Sequence, residues 1–217
     1  MKQAEHLALI AACFRCPEAE AGLIHAATHF RYFEHRASIA LRGDASEYLY
    51  LVIEGVASAD LFSVDGQHAR LAGYGPGELF GAYPEPVLHR ADISAVGDLS
   101  VLMFETRIIA TLATQHAAIA QGVALLMARQ LDMVLDRMAA RIGLSATGRC
   151  YQALLAQSDD DGWIRPLPVL SALAIGVNTT RETASRALAQ LVRRGIIERH
   201  EGGLRIVSRR MLEEMVV

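Results

Sequence analysis

Between Tyr48 and Ile53 the chain runs Tyr-Leu-Tyr-Leu-Val-Ile, an apolar and aromatic stretch set between Asp44-Ala45-Ser46 and Gly55. Turn signals follow at Asp65-Gly66 and across Gly73-Tyr74-Gly75-Pro76-Gly77. A further pair of short apolar runs flanks Gly97-Asp98 within Ile93–Phe104. Short strands separated every eight to twelve residues by Gly and Asp turns predict a small antiparallel β-roll, preceded by an opening helix.

The pattern then changes period. From Ile108 to Ile142 there is no proline and one glycine, Gly122, which predicts one long helix. Ala120, Ala124, Met127, Leu131, Val134 and Met138 step by four and three, a seam of period 3.5 that suits two helices lying side by side. A helix of about 30 residues would reach about 45 Å, more than a small domain needs. The expectation is a dimer through this seam; the alternative is that the stripe packs on its own roll. Gly143-Leu144-Ser145 ends the helix, and Ser145 is placed to cap the next. Past the turn Asp159-Asp160-Asp161-Gly162 and the breaker Pro166-Leu167-Pro168, two short helices are expected over Val169–Val177 and Arg181–Arg194. Ile196–Arg199 and Leu204–Val207 flank Glu201-Gly202-Gly203 as a β-hairpin. The fold class is therefore α+β, with a roll over 1–110, a dimerisation helix over 111–143 and a winged helix-turn-helix over 144–217.

Chemistry gathers in that last segment. Asn178 falls where a helix-turn-helix needs a left-handed residue, and Thr180 can cap the second helix. Ala184, Leu188 and Leu191 then point inward, leaving Arg181, Glu182, Ser185 and Arg186 on the outward face near the helix N-terminus, with Thr179 and Thr180 beside them. In a major groove an Arg can take guanine O6 and N7 together and a Glu can accept from cytosine N4. The plainer reading of Glu182 and Arg186 is an i,i+4 surface ion pair. Charge adds to the picture: Arg181–Arg210 holds eight arginines against three acids, in a chain whose net charge is −3 and whose pI is 6.2. A molecule basic at one end suits an anionic partner held there, double-stranded DNA.

Thr180-Arg181-Glu182-Thr183-Ala184-Ser185-Arg186, Gly195-Ile196-Ile197 and Gly203-Leu204-Arg205-Ile206 together resemble the Crp/Fnr superfamily of bacterial transcription regulators, over nearly the whole chain. Arg181-Glu182 and Arg186 resemble the cyclic-AMP receptor branch, and Glu182, Ser185 and Arg186 the FNR branch. The resemblance implies a homodimer whose two recognition helices enter successive major grooves about 34 Å apart. It also implies an inverted repeat with TTGTGA- or TTGA-like half-sites and RNA polymerase as a further partner.

The family's effector sits between roll and long helix, which points to Phe80, Gly81, Ala82, Tyr83, His89, Arg90, Met127, Leu131 and Val134. Members that bind cyclic nucleotides carry a Glu for the ribose and an Arg-Ser pair for the phosphate. Here Gly77-Glu78-Leu79-Phe80-Gly81 leads to Ala82 in the Glu position, the Arg-Ser positions fall on His89-Arg90 (a one-residue shift would put Arg90 in the arginine's place), and the adenine-facing pair becomes Val134-Leu135. Each missing charge-assisted bond is worth about 1.5–3 kcal/mol, so cyclic AMP is not the expected effector and the cofactor is left open. An iron-sulfur cluster needs four thiolates, while Cys13, Cys16 and Cys150 are the only cysteines. Cys13 and Cys16 read as core residues, with a redox switch as the alternative. Haem ligation would fall to His89; His6, His25, His29, His35, His68, His116 and His200 show no ligand spacing. Metal catalysis on a β-roll needs clustered ligands, and no His-x-His, Gly-x-Ser-x-Gly or phosphate-loop motif occurs, so no enzyme and no metal site is expected.

Composition narrows the class without changing it. The chain has 217 residues, 52% of them hydrophobic, and a mean hydropathy of +0.23, too apolar for intrinsic disorder. Three cysteines argue against a disulfide framework and for a reducing cytoplasm. The start MKQAEH does not read as a signal peptide. The apolar stretch Ala117–Ala128, broken by Gln121, reads as too short for a membrane span.

Overall fold

The computed structural model describes residues 3–62 and 68–216, in two compact units, Met1–Met133 and Val134–Val217. The turn expected at Asp65-Gly66 lies outside the described residues.

The first unit opens with α1 (Gln3–Phe14) and α2 (Glu18–Ala26). Its strands are β1 (Thr28–Phe33), β2 (Ser38–Ala40), β3 (Ala45–Ser46), β4 (Tyr48–Phe62), β5 (His68–Tyr74), β6 (Leu79–Gly81), β7 (Val87–Leu88) and β8 (Asp92–Glu105). They form an antiparallel sheet of order β1-β8-β4-β5, with β2 also on β8 and β6 also on β4, while β3 and β7 pair separately. The run Tyr48–Ile53 is uniformly apolar because both faces of β4 are covered. Leu49 and Leu51 join a cluster with Phe14, Ile24, Phe104 and Ile119, and Tyr50 and Val52 join a second one with Phe80, Ile93 and Val101.

Gly55 and Gly97 do not end strands, although they read as turn signals. β4 and β8 run through them, with irregular register between Val52 and Val56. Gly55 has φ +84° and Gly97 φ +81°. A Cβ on Gly55 would lie 2.1 Å from the Asp98 carbonyl oxygen, so only glycine lets the strands approach there.

The helix expected over 108–142 is two helices, α3 (Thr106–Gln115) and α4 (Ala117–Gly143), separated at His116, whose backbone is extended at φ −127°, ψ 106°. The His116 carbonyl accepts from the N–H of Ile119 and of Ala120, starting α4 afresh, and no Gly or Pro marks the break. At 27 residues α4 is about 40 Å long and, by length and composition alone, apolar enough to cross a bilayer, contrary to the short-run reading. However, Ile119, Gly122, Val123 and Leu126 are buried by the protein itself, and five charged residues fall between Arg129 and Arg141. Gly122 marks a close approach to the end of α1: a Cβ there would meet the Phe14 carbonyl oxygen at 2.3 Å. Gly122→Ala gains up to about 1 kcal/mol of helix propensity but forces backbone apart, so a net loss of about 1–2 kcal/mol in unfolding free energy is expected by denaturant titration.

The second unit holds α5 (Ala146–Gln157), β9 (Trp163–Ile164), α6 (Leu170–Gly176), α7 (Arg181–Arg193), β10 (Ile197–His200), β11 (Gly203–Ile206) and α8 (Arg209–Glu214). Val169 and Val177, expected inside α6, are its caps, and α7 ends one residue earlier than expected. Ser145 caps α5 as expected, its Oγ accepting from the Gly148 N–H at 3.0 Å. The wing is three-stranded, β10-β11-β9, and neither β9 nor α8 is expected from the sequence pattern. Leu154, Leu173, Ala184, Leu188, Leu191, Ile197, Leu204 and Leu212 share its core.

Candidate nucleic-acid interface

Every local device expected of the helix-turn-helix is in place. Asn178 has φ +51°, and the Thr179 N–H closes the turn by donating to the Ala174 carbonyl at 2.8 Å. Thr180 caps α7, its Oγ1 accepting from the Thr183 N–H at 3.2 Å. Ala184, Ala187, Leu188 and Leu191 are buried, which turns Arg181, Glu182, Ser185 and Arg186 outward, all exposed. Thr180 is exposed and Thr179 half-buried beside them. Among the described residues no ion pair joins Glu182 to Arg186, so the plain surface-pair reading is not realised. The Glu182 carboxyl is held below the usual carboxylate range by its own backbone N–H, then by the Thr180 hydroxyl, with Arg181 and Arg186 adding to the effect. It is an acceptor throughout the neutral range, aimed outward from the helix end that favours negative charge.

The wing places β10 and β11 in register from Ile197 opposite Ile206 to His200 opposite Gly203, with Gly202 at φ +82° in the loop. Trp163 of β9 lies opposite Arg205. The Arg165 guanidinium sits 3.8 Å above the Trp163 ring and that of Arg205 5.8 Å away, while the His200 ring is 4.9 Å off. In the sequence pattern these arginines are charge alone, and their aromatic platform is not visible.

A second feature hidden from the pattern is Arg149. Its Nε donates to the Val177 carbonyl at 2.8 Å, one terminal nitrogen to Leu144 at 3.0 Å and the other to Asn178 at 3.1 Å. The signal available is a cation in the first turn of a helix, where the helix dipole disfavours it.

The residues expected at an effector site do not gather in one cluster. Phe80 is buried in the roll interior, stacked on Tyr50 at 4.6 Å and 6°, with Tyr74 at 5.4 Å. Tyr83 and Met127 pack instead against the cluster of Leu79 and Leu126. Gly81 has φ +103°, and a Cβ there would lie 2.2 Å from the Tyr48 carbonyl oxygen. Ala82 is buried, its N–H donating to Tyr48 and its carbonyl accepting from the Thr106 hydroxyl, each at 3.0 Å. Leu79 is tied to α4 by its N–H, which donates to Gln130 Oε1 at 3.0 Å. Arg90 is exposed, and His89 is half-buried in a backbone ladder with Gly43 and Asp44. Burial pushes the His89 imidazole below its usual range, opposed by Asp44. Leu131 is exposed, and Val134 belongs to the second unit. Burial raises all three thiols: Cys13 half-buried with Arg129 opposing, Cys16 buried, and Cys150 fully enclosed. At neutral pH they remain thiols, as core cysteines do. Among the described residues no group of three or more His, Cys, Asp or Glu is arranged for a metal.

Residues 30–116 match the family model of the cyclic nucleotide-binding domain, and residues 148–215 that of the Crp-like helix-turn-helix domain. The chain is 29% identical over 194 residues to the cyclic AMP receptor protein of Thermus thermophilus, covering 85% of this chain and 88% of that protein. Among solved structures, TTHB099, a transcriptional regulator of the CRP family from the same organism, aligns at a TM-score of 0.61 and 25% identity over 86% of this chain and 96% of that one. FixK2 from Bradyrhizobium japonicum shares the fold at a TM-score of 0.69 and 24% identity, over the same shares of the two chains. These relatives and families are regulators rather than enzymes, and the α+β order of β-roll, long helix and winged helix-turn-helix is theirs. The chain belongs to the Crp/Fnr family of transcription regulators.

Proposed function

We propose that the protein is a homodimeric regulator that reads an inverted repeat with TTGTGA- or TTGA-like half-sites, under the control of an effector in its roll other than cyclic AMP. The observation that carries the reading is the outward tetrad Arg181, Glu182, Ser185 and Arg186, held on the first turns of a helix whose opposite face is fully buried. Thr179 and Thr180 flank it at the helix end, where backbone N–H groups suit phosphate. Residues 1–110 serve as sensor, 111–143, which hold the end of α3 and all of α4, as the dimerisation segment, and 144–217 as the DNA reader. The protein works in the cytoplasm, off the membrane, with RNA polymerase as its second partner.

The cyclic nucleotide named by the family model does not fit the residues present. Ala82 offers no carboxylate for a ribose hydroxyl, and both its backbone groups are already engaged. Arg90 is exposed rather than turned inward, and the Tyr50–Phe80 stack occupies the roll interior with Tyr74 tilted against it. Selection from a random duplex pool tests both halves of the reading. The expected outcome is recovery of an inverted repeat, with unchanged affinity when cyclic AMP is added at millimolar concentration. Recovery of no repeat sinks the DNA reading, and a cyclic-AMP-dependent gain sinks the effector reading.

A further inference from the structure

We infer that Arg149, which lies away from the outward tetrad, sets the DNA affinity of the second unit by latching the helix-turn-helix turn to the corner at Leu144. The inference rests on the DNA-reading role of α7.

Arg149 stands in the first turn of α5, just behind its Ser145 cap, where the positive end of its own helix disfavours a cation. Its three bonds reverse that cost. Leu144 directly follows the last residue of α4, Val177 is the C-cap of α6, and Asn178 is the left-handed residue after it. Carbonyls at helix C-termini lack intrahelical donors and carry partial negative charge. One guanidinium therefore satisfies orphan carbonyls of two helices at 2.8, 3.0 and 3.1 Å, using Nε and both terminal nitrogens once each. Among the described residues no carboxylate pairs with it, so these carbonyls are the partners that hold its charge. A planar fork suits three divergent acceptors in a way an ammonium cannot.

The consequence concerns the angle at which α7 is presented. Two residues separate Asn178 from Arg181, the first residue of α7, and the Thr180 cap fixes the step between. Holding the Val177 and Asn178 carbonyls against Leu144 fixes where α7 begins relative to the end of α4. Arg149 is thus a positioning residue for recognition. It couples the corner after the long helix to the reading helix through hydrogen bonds that a hydrophobic contact could not aim.

The test uses the full-length protein and three variants: Arg149→Met, which keeps the stem and removes all three bonds; Arg149→Lys, which keeps the charge; and Leu154→Ala, which opens the core of the second unit while leaving the three bonds of Arg149 in place. Amide hydrogen exchange and affinity for an inverted-repeat duplex are measured at a temperature where each variant is folded. Arg149→Met is expected to lose about tenfold or more in affinity for the repeat and in the ratio of repeat to scrambled duplex, with an unchanged salt slope. Exchange should accelerate at Val177, Asn178 and Thr179, whose N–H groups are held by the carbonyls of Leu173, Ile175 and Ala174. Arg149→Lys should fall between Arg149→Met and wild type, and Leu154→Ala should lose stability without loss of that ratio. Equal loss in Arg149→Met and Leu154→Ala, or unchanged exchange at the turn, overturns the latch. A salt slope lower by about 0.9 per subunit would also overturn it, by making Arg149 a phosphate contact. If Arg149→Met does not fold, Arg149→Lys against Leu154→Ala decides by the same criteria. If the wild type binds no repeat, the DNA reading fails, while the exchange comparison still decides the latch.

Discussion

Arg181→Ala is expected to flatten the base preference of this regulator rather than simply weaken it. A bidentate arginine on guanine is worth about 1–3 kcal/mol of discrimination per half-site, and a dimer carries two. The affinity ratio between the matched repeat and a duplex with both guanines replaced should therefore fall by about 2–6 kcal/mol, roughly thirtyfold at the least. Affinity for scrambled DNA should change little. Fluorescence anisotropy on the two duplexes at several salt concentrations separates this from the plainer role. If Arg181 only touches phosphate, both affinities drop together and the salt slope falls by about 0.9 for each subunit. Glu182→Gln provides a complementary result. The carboxylate is ionised at neutral pH, and its own backbone N–H and the Thr180 hydroxyl stabilise the charged form further. As a depressed carboxyl it loses this character only as pH falls through its lowered value, well below the working range. Removing the charge should raise affinity for scrambled DNA and lower discrimination, a combination that a phosphate-facing residue would not give.

The candidate interface is legible in the sequence because its determinants are local. Asn178, the Thr180 cap and the Ala184–Leu188–Leu191 spacing each act within one or two turns of helix, so the pattern alone places the outward tetrad. What escapes depends on partners distant in the chain. A glycine reads the same whether it ends a strand or lets one bend, and the choice at Gly55 is made by the Asp98 carbonyl on β8. The break at His116 carries no local signal, because it serves to bring Ile109 of α3 and Ile119 of α4 into one cluster. β9 is two residues long, too short for any period, and exists because β11 offers it an edge. Arg149 is visible only as a charge; its three acceptors lie 5 to 29 positions away. The roll is legible as an architecture, whereas its interior is not. Phe80 and Tyr83 are three residues apart, yet they pack in different clusters.

Charging the seam of α4 should abolish dimers and, with them, recognition of the full site. Rotation by about 100° per residue puts Ile119, Gly122, Val123, Leu126 and Gln130 on one face, which the first unit buries or hydrogen-bonds. Ala120, Ala124, Met127, Leu131, Val134 and Met138 lie about a quarter-turn away. Their upper members, Ala120 and Met127, are half-buried, but Leu131, Val134 and Met138 are 58, 39 and 54% exposed, with Leu135 and Ile142 beside them at 52 and 85%. The alternative in which the stripe packs on its own roll thus accounts for the neighbouring face and leaves this one bare. Burying five such side chains is worth about 1.5–3 kcal/mol each, of order 10 kcal/mol per helix before the cost of association. Two-fold symmetry would set each position near its own copy, so Leu131→Glu with Met138→Glu places like charges together in an apolar seam. Because both side chains are exposed within one chain, the circular dichroism spectrum should be unchanged, while sedimentation equilibrium shifts from dimer to monomer. Losing the second half-site removes the effective-concentration advantage of a linked pair, so affinity for the inverted repeat should drop by about 10²–10⁴ while that for a single half-site stays put. A variant that remains dimeric, or a wild type that sediments as a monomer and still binds the full repeat, would overturn the seam as the dimer interface.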